Sequence, residues 1–366
     1  MKLTYKYRLY PTKKQETILN GQLETCRFLY NTLLGNRKNA WEKEKKSVSC
    51  YDSIKQIPKL KETYPQLTSV YSQCLQNVAI RVDLAYQGFF RRLKTGETPG
   101  YPRFRGKGRY FSICYPQYNK GCELVKNKLS LSKVGDVEVV LHRKLIGVPK
   151  TITIFKTPTG KWFVAISCCD VPAKKNKFRR TGKEVGIDVG ILSFATFDNG
   201  TKIVNPRFFE KEQKQLAKKQ NQEKWKVVKR VHERITNKRN NFLHKTVNDI
   251  LNKYDFVYVE DIETNKLLKK RWCSKQISDV AWGMFANILK YKAEYADKLV
   301  VNINPAYTSQ TCSQCGTRTL MELKDRVFHC SCGLSIDRDI NAARNILRLG
   351  RQSLAGNSIK ASISLG

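Results

Sequence analysis

Acid is scarce in this chain. Of its 366 residues, 31 are Asp or Glu against 68 Lys or Arg, a formal net charge of +37. An excess of that size excludes an ordinary cytosolic enzyme of balanced charge and calls for a polyanion. Nucleic acid is the commonest one, with a membrane surface or an acidic protein as weaker readings. Long apolar runs are also missing. None approaches the roughly 18 residues of a membrane helix, and the opening MKLTYKYRLYP lacks a signal peptide's apolar stretch. The expectation is a soluble, intracellular protein with no membrane partner. Twelve cysteines are too few for a disulfide scaffold. Eight are scattered or, like Cys168 and Cys169, sit in a strand-like run, and read as small buried hydrophobes. No Gly-rich phosphate loop or Ser/His/Asp order stands out, and His142, His232 and His244 read as structural.

What is present is enough to fold. A hydrophobic content of 41%, with 17 Tyr, 16 Phe and 5 Trp, excludes a wholly disordered basic tail, and the length suits two or three domains. Residues 2–10 alternate like a strand. Helical spacing then runs from Pro11 to about Trp41, and again from Pro65 to Leu93, where Leu67, Tyr71, Cys74, Val78, Val82, Ala85 and Phe89 form one stripe. The stretch 91–109, with seven basic residues and one acid, reads as a basic loop, and its Tyr101 and Phe104 suit base stacking as readily as a plain surface. From Tyr110 to Val171, short β-like runs predict a small β-barrel, to which the first strand returns if the helices are an insertion. A basic linker, 173–183, follows.

Beyond it, EVGIDVG, ILSFATF and TKIV read as three antiparallel strands. Residues 207–252 read as long basic helix, with 13 Lys or Arg and 4 acids between Arg207 and Lys245. Then come the strand DFVYVED, a helix over 276–298, the strand LVVNI and, after a cysteine cluster, the helix DINAARNILRL. The order β-β-β-α-β-α-β-α is the ribonuclease H plan. It makes the first and fourth strands parallel neighbours, so Asp188 and Glu260 at their carboxyl ends converge where α/β sheets place sites. Asp339 reaches the same edge if its helix packs across the sheet. Three such carboxylates repel unless a cation neutralises them, and two Mg²⁺ ions about 4 Å apart would drive in-line phosphodiester hydrolysis. Singly, each acid is better explained as a turn or cap residue. Asp337, Asp261 and Glu263 are nearby competitors.

The spacing Cys312-x2-Cys315, fourteen residues, Cys330-x-Cys332 predicts four thiolates around a structural Zn²⁺, each pair followed by a glycine at Gly316 or Gly333. The second pair is one residue short of the usual knuckle, which leaves His329-x2-Cys332 open as an alternative.

Taken together, YKYRLYPTKKQ, FFRRLKTGETPGYPRFRG, GIDVG, YVEDI, TSQTCSQCG and DRDINAARNI resemble the TnpB (OrfB) family, transposon-encoded relatives of type V CRISPR effectors. The resemblance implies an RNA-guided double-stranded DNA endonuclease, a monomer on one noncoding guide RNA from the transposon end. It would cut target DNA beside a short adjacent motif in a prokaryotic, nucleoid-associated setting. It also implies a multidomain α/β architecture. A wedge β-barrel (1–12 and 109–180) would be interrupted by a helical recognition domain (13–108), and a RuvC-like nuclease domain (181–305 and 334–350) by a zinc ribbon (306–333), with a disordered tail at 351–366. Carried onto this sequence, the Mg²⁺-binding catalytic acids are Asp188, Glu260 and Asp339, with Asp337 the competing register. An RNA-guided binder without cleavage should have lost an acid, and a ribonuclease H-fold transposase leaves the ribbon and barrel unexplained.

Overall fold

A computed structural model of the chain describes residues 1–173, 178, 180–261, 267, 274–322 and 324–363, with only the backbone described over 356–363. Most of the linker's basic run and Glu263 lie outside the described residues. Two compact units divide the chain, Met1–Pro172 and Ala173–Gly366.

The first unit is built on a seven-stranded sheet. Strands β1 (Leu3–Tyr10), β2 (Ser112–Tyr115), β3 (Cys122–Val125), β4 (Lys128–Leu131), β5 (Gly135–Val140), β6 (Val148–Lys156) and β7 (Trp162–Cys169) run in the order β2-β6-β7-β1-β5-β4-β3, every neighbour antiparallel, and curl into a nearly closed barrel. The opening strand does sit in it, between β7 and β5, with Tyr7 opposite Val164. Alternation explains why: Tyr5, Tyr7 and Leu9 are buried while the intervening Lys6 and Arg8 are not.

Helices α1 (Lys13–Glu44), α2 (Cys50–Thr63) and α3 (Ser72–Lys94) occupy the interval between the first two strands. Thr12 and Gln15 form a reciprocal capping box at the start of α1. The expected helix from Pro65 is shorter. Pro65–Ser69 is a 3₁₀ turn, and α3 begins only at Ser72, then runs to Lys94 into the stretch expected as loop. Helix α2 turns Cys50, Ser53, Ile54 and Ile57 to one face, and Ser49 and Asp52 cap it in the same reciprocal way.

The second unit centres on a five-stranded sheet of β8 (Glu184–Asp188), β9 (Ser193–Phe197), β10 (Lys202–Val204), β11 (Phe256–Glu260) and β12 (Leu299–Ile303). The order is β10-β9-β8-β11-β12. The first three strands are antiparallel, and β8, β11 and β12 are parallel. The expected long basic helix is two, α4 (Phe208–Asn221) and α5 (Trp225–Lys253), parted where Glu223 takes a left-handed φ of 52°. The helix expected over 276–298 also divides, into α6 (Ser274–Val280) and α7 (Trp282–Ala296), about a left-handed Ala281. Phe178 is 4% exposed in this unit's core, so the linker's described part belongs here rather than with the barrel.

Helix α8 (Arg338–Ile363) continues well past residue 350, where the sequence suggests disorder, and it lies on β8, β9, β11 and β12. Two glycines permit that approach. A Cβ on Gly186 of β8 would sit 2.1 Å from the Ala343 carbonyl oxygen, and one on Gly350 would sit 2.0 Å from the Tyr258 ring. Below the sheet's amino end, Lys298 and Asp255 form a buried ion pair at 2.8 Å, and Asp255 also accepts the amides of Thr181 and Gly182.

Candidate active site and metal centre

The parallel register of β8 and β11 pairs Ile187 with Val259, so the next residues, Asp188 and Glu260, stand side by side at the carboxyl edge. Their carboxyl groups hydrogen-bond to each other, and the Val189 amide donates to Glu260. Burial, reinforced by the charges of Glu260 and Asp339, raises Asp188 well above the usual carboxylate range. Burial likewise lifts Glu260 to about 7, with Asp339 adding to the rise and the Asp188 and Val189 hydrogen bonds opposing it. Both carboxyls are thus pushed toward the neutral form, and the two titrate as a pair. Arg338 supplies a counter-charge, its Nε 3.5 Å from an Asp339 oxygen and its field lowering Asp188.

Asp337 and Asp339 differ in their hydrogen bonds. Asp337, the last residue of β14 (Ser335–Asp337), accepts the amides of Asp339 and Ile340 at 3.0 and 3.2 Å through one carboxylate oxygen. Its other oxygen accepts Lys202 at 2.6 Å. Against the cost of partial burial, these bonds hold Asp337 below the usual range. One oxygen thus caps α8 and the other holds Lys202 of β10. Asp339, one residue into the helix, is the acid whose charge reaches Asp188 and Glu260. Asp261 is exposed, its amide bonded to the Ile303 carbonyl.

The four cysteines meet. Their sulfurs all lie within 4.8 Å of one another, and among the described residues this is the one group of three or more His, Cys, Asp or Glu side chains close enough to hold an ion. Each knuckle contributes to both close contacts: Cys312 to Cys332 at 3.7 Å and Cys315 to Cys330 at 3.5 Å. The short second pair closes as tightly as the first. The Gly316 amide bonds the Cys312 carbonyl and the Gly333 amide that of Cys330, both at 3.0 Å, with φ of 82° and 90° that suit glycine. His329 instead ends strand β13 (Val327–His329), opposite Ser335, outside the thiol group. The Thr317 hydroxyl and amide, with neighbouring thiols, hold Cys315 down at about 6. Cys332, against the Leu334 amide, is pushed up to about 12 by desolvation and the other three sulfurs. Four sulfurs this close cannot all ionise without a cation among them, so the donor set fits Zn²⁺.

Sequence reasoning missed two residues that tie these centres together. Asn341 and Asn345, one helical turn apart on α8, are 0% and 1% exposed. Asn341 donates to the Thr311 carbonyl and accepts the Ser313 amide, while Asn345 donates to the carbonyls of Thr308 and Thr311. They bolt the first cysteine knuckle to the helix that carries Asp339. The signal was available: two asparagines four apart in an otherwise apolar helical face.

Three family profiles match the chain: "Helix-turn-helix domain" over residues 1–46, "Probable transposase" over 167–271, and "Cas12f1-like, TNB domain" over 282–346. The first stretch is in fact a strand followed by one unbroken helix. A putative RNA-guided DNA endonuclease of Streptomyces pristinaespiralis is 34% identical over 98% of this chain and 92% of its own length. The chain belongs to the TnpB family. Further TnpB relatives are the putative RNA-guided DNA endonuclease InsQ of Escherichia coli K12, 28% identical over 96% of this chain and 93% of its own, and TnpB-like protein L770 of Acanthamoeba polyphaga mimivirus, 25% identical over 94% and 72%. A solved Cas12f1–sgRNA–target DNA complex aligns with 95% of this TnpB chain and 99% of its own at 17% identity, with a TM-score of 0.37. None of this TnpB chain's described helices is long and apolar enough to cross a membrane.

Proposed function

We propose that this chain is an RNA-guided double-stranded DNA endonuclease of a transposable element. It binds a noncoding guide RNA from the element's end and hydrolyses target phosphodiesters beside a short adjacent motif. The observation that carries the reading is the acid centre: two buried carboxyls side by side at the ends of parallel strands, both raised by burial, with the charge of a third acid on α8 acting on them. A ribonuclease H-like, RuvC-type nuclease domain accounts for the strand order as well as the acids. The relatives' names point the same way.

The donor set suits a hard divalent cation such as Mg²⁺. It is all oxygen, and its carboxyls, raised by burial with their mutual repulsion added, would be returned to the charged form by a positive ion. Asp188, Glu260 and Asp339 would hold it, and it would supply the charge stabilisation that in-line attack at phosphorus requires. The chain's own residues do the positioning. Asp337 fixes the first turn of α8, and Asn341 and Asn345 fix that helix to the knuckle. In this reading Cys312, Cys315, Cys330 and Cys332 hold structural Zn²⁺, which staples a segment too small to own a core. The Lys and Arg excess binds phosphate without choosing a sequence, and base pairing to the guide chooses it. Unlike a guided binder without cleavage, the chain keeps all three acids and gathers their charge at one edge.

Sequencing the RNA that copurifies with the protein tests the guide. A fixed scaffold ending in a variable segment is the expected result. Heterogeneous cellular RNA of no common form would remove guided function.

A further inference from the structure

A cavity in the first unit is lined by aromatic and basic side chains that neither the barrel nor the acid centre uses. It has a volume of about 340 Å³, within the range of small-ligand sites, between the end of α1, the turn after it, the last turns of α3 and the loop bearing Tyr101. Its wall is a set of rings in edge-to-face contact: Phe89 with Phe90 at 5.3 Å, Phe89 with Tyr101 at 5.4 Å, and Tyr86 with Tyr101 at 5.5 Å. A 2.8 Å hydrogen bond between the hydroxyls of Tyr86 and Tyr101 holds the loop against the helix. Arg37 lies 4.4 Å over the Tyr86 ring and is fixed there by Asp83 at 2.9 Å. At the mouth, Trp41 and Phe90 are 54% and 52% exposed, an unusual cost for large apolar side chains with nothing over them.

We infer that this cavity receives one unpaired nucleobase of the bound RNA, stacked on the rings, with its phosphates met by the basic rim. The inference rests on the guide-RNA reading. Charge selects the ligand. The charged residues of the lining, Arg37 and Lys46, are both basic, and Lys45 lies 6.0 Å over the Trp41 ring. Over residues 13–108 there are 18 Lys or Arg against 8 Asp or Glu. A flat π-face that also carries anionic phosphate matches both features, as an apolar peptide would not. Duplex DNA would have to spend unstacking energy to present a base, whereas RNA loops and bulges present them already free.

Ultraviolet cross-linking of the full-length protein purified with its RNA, followed by digestion and mass spectrometry, tests the pocket. A nucleotide adduct on Trp41, Phe90 or Tyr101, from one RNA position that chemical probing shows unpaired, is expected. Trp41→Ala and Phe90→Ala should each weaken binding of that RNA roughly tenfold with the thermal midpoint unchanged. Leu84→Ala, at 56% equally exposed but outside the cavity, should not. No adduct in the cavity, with wild-type affinity in both variants, overturns the pocket while leaving guided cleavage standing. A protein that binds no RNA overturns both.

Discussion

The chain carries two ligand centres that solve the same problem in opposite ways. The cysteine centre is local: four thiols within 21 residues, each pair on a glycine-closed knuckle, with Cys315 and Cys332 exposed. The acid centre is assembled from residues 72 and 79 positions apart, each delivered by a different element, and is partly buried. Both bring like charges together and both answer with displaced titration, the thiols by one going down and another up, the acids by both rising. A local centre stabilises its own segment. A centre assembled across a sheet depends on that sheet, and its geometry is available for chemistry. Removing ligands from each should separate the two behaviours.

The largest effect is expected at the acids. Asp188→Ala, Glu260→Ala and Asp339→Ala should each lower cleavage at least about a thousandfold, because several kcal/mol of charge stabilisation is lost at roughly tenfold per 1.4 kcal/mol. RNA binding in electrophoretic titrations should stay near wild type. An active Asp339→Ala protein would transfer the role to Asp337. At the cysteines the loss should be structural. Metal analysis should find about one Zn²⁺ per chain in the wild type and none in Cys312→Ser or Cys330→Ser. Hydrogen exchange over 306–333 should rise in those variants, while His329→Ala keeps its metal.

The raised carboxyls of Asp188 and Glu260 give a third contrast. A carboxyl raised to about 7 in the folded state stabilises the metal-free fold below its unfolded value near 4.5, and that contribution fades as pH rises through 7. The metal-free protein should therefore melt at a lower temperature at pH 8 than at pH 6, and Mg²⁺ should restore the difference at pH 8. Cleavage should run the other way, falling below pH 7 as the ligands protonate. A melting temperature flat across this range would dissolve the pair. The smallest effect should come from Asp337→Ala, which loses one cap and one half-exposed ion pair with Lys202. About 1–2 kcal/mol of stability should go, read as a modest drop in denaturant midpoint, with activity largely kept.

How much of this was legible follows from the same contrast. Spacing alone located the cysteine centre, since four thiols with glycine behind each pair have few other uses. What spacing left open, His329 or Cys330, turned on the two-residue arc that Gly333 closes. The acids needed a topology before they could be a site. Glycine and apolar runs marked GIDVG and YVEDI as strand ends, but that Asp337's oxygens are taken by Lys202 and two amides was not legible, since Lys202 lies 135 residues away. Helix α2 was missed although Cys50, Ile54 and Ile57 share a face and its Ser49–Asp52 cap was written in the sequence; Pro58, which the helix accommodates, was the local signal against it. The breaks at Glu223 and Ala281 lie where non-glycine residues take left-handed backbone, which no propensity announces. The paired asparagines were legible as a pattern and were unread, because their partners lie in a loop 30 residues away.

The central claim is that these acids cut where a guide directs. One plasmid carrying two candidate targets, each beside the adjacent motif, would be incubated with protein loaded with either of two guides in Mg²⁺, alongside the Asp188→Ala protein. The account predicts that the cut moves with the guide, that mismatches nearest the motif suppress it most, and that the variant binds without cutting. Cleavage that stayed at one site whichever guide was loaded, or proceeded equally without RNA, would contradict it.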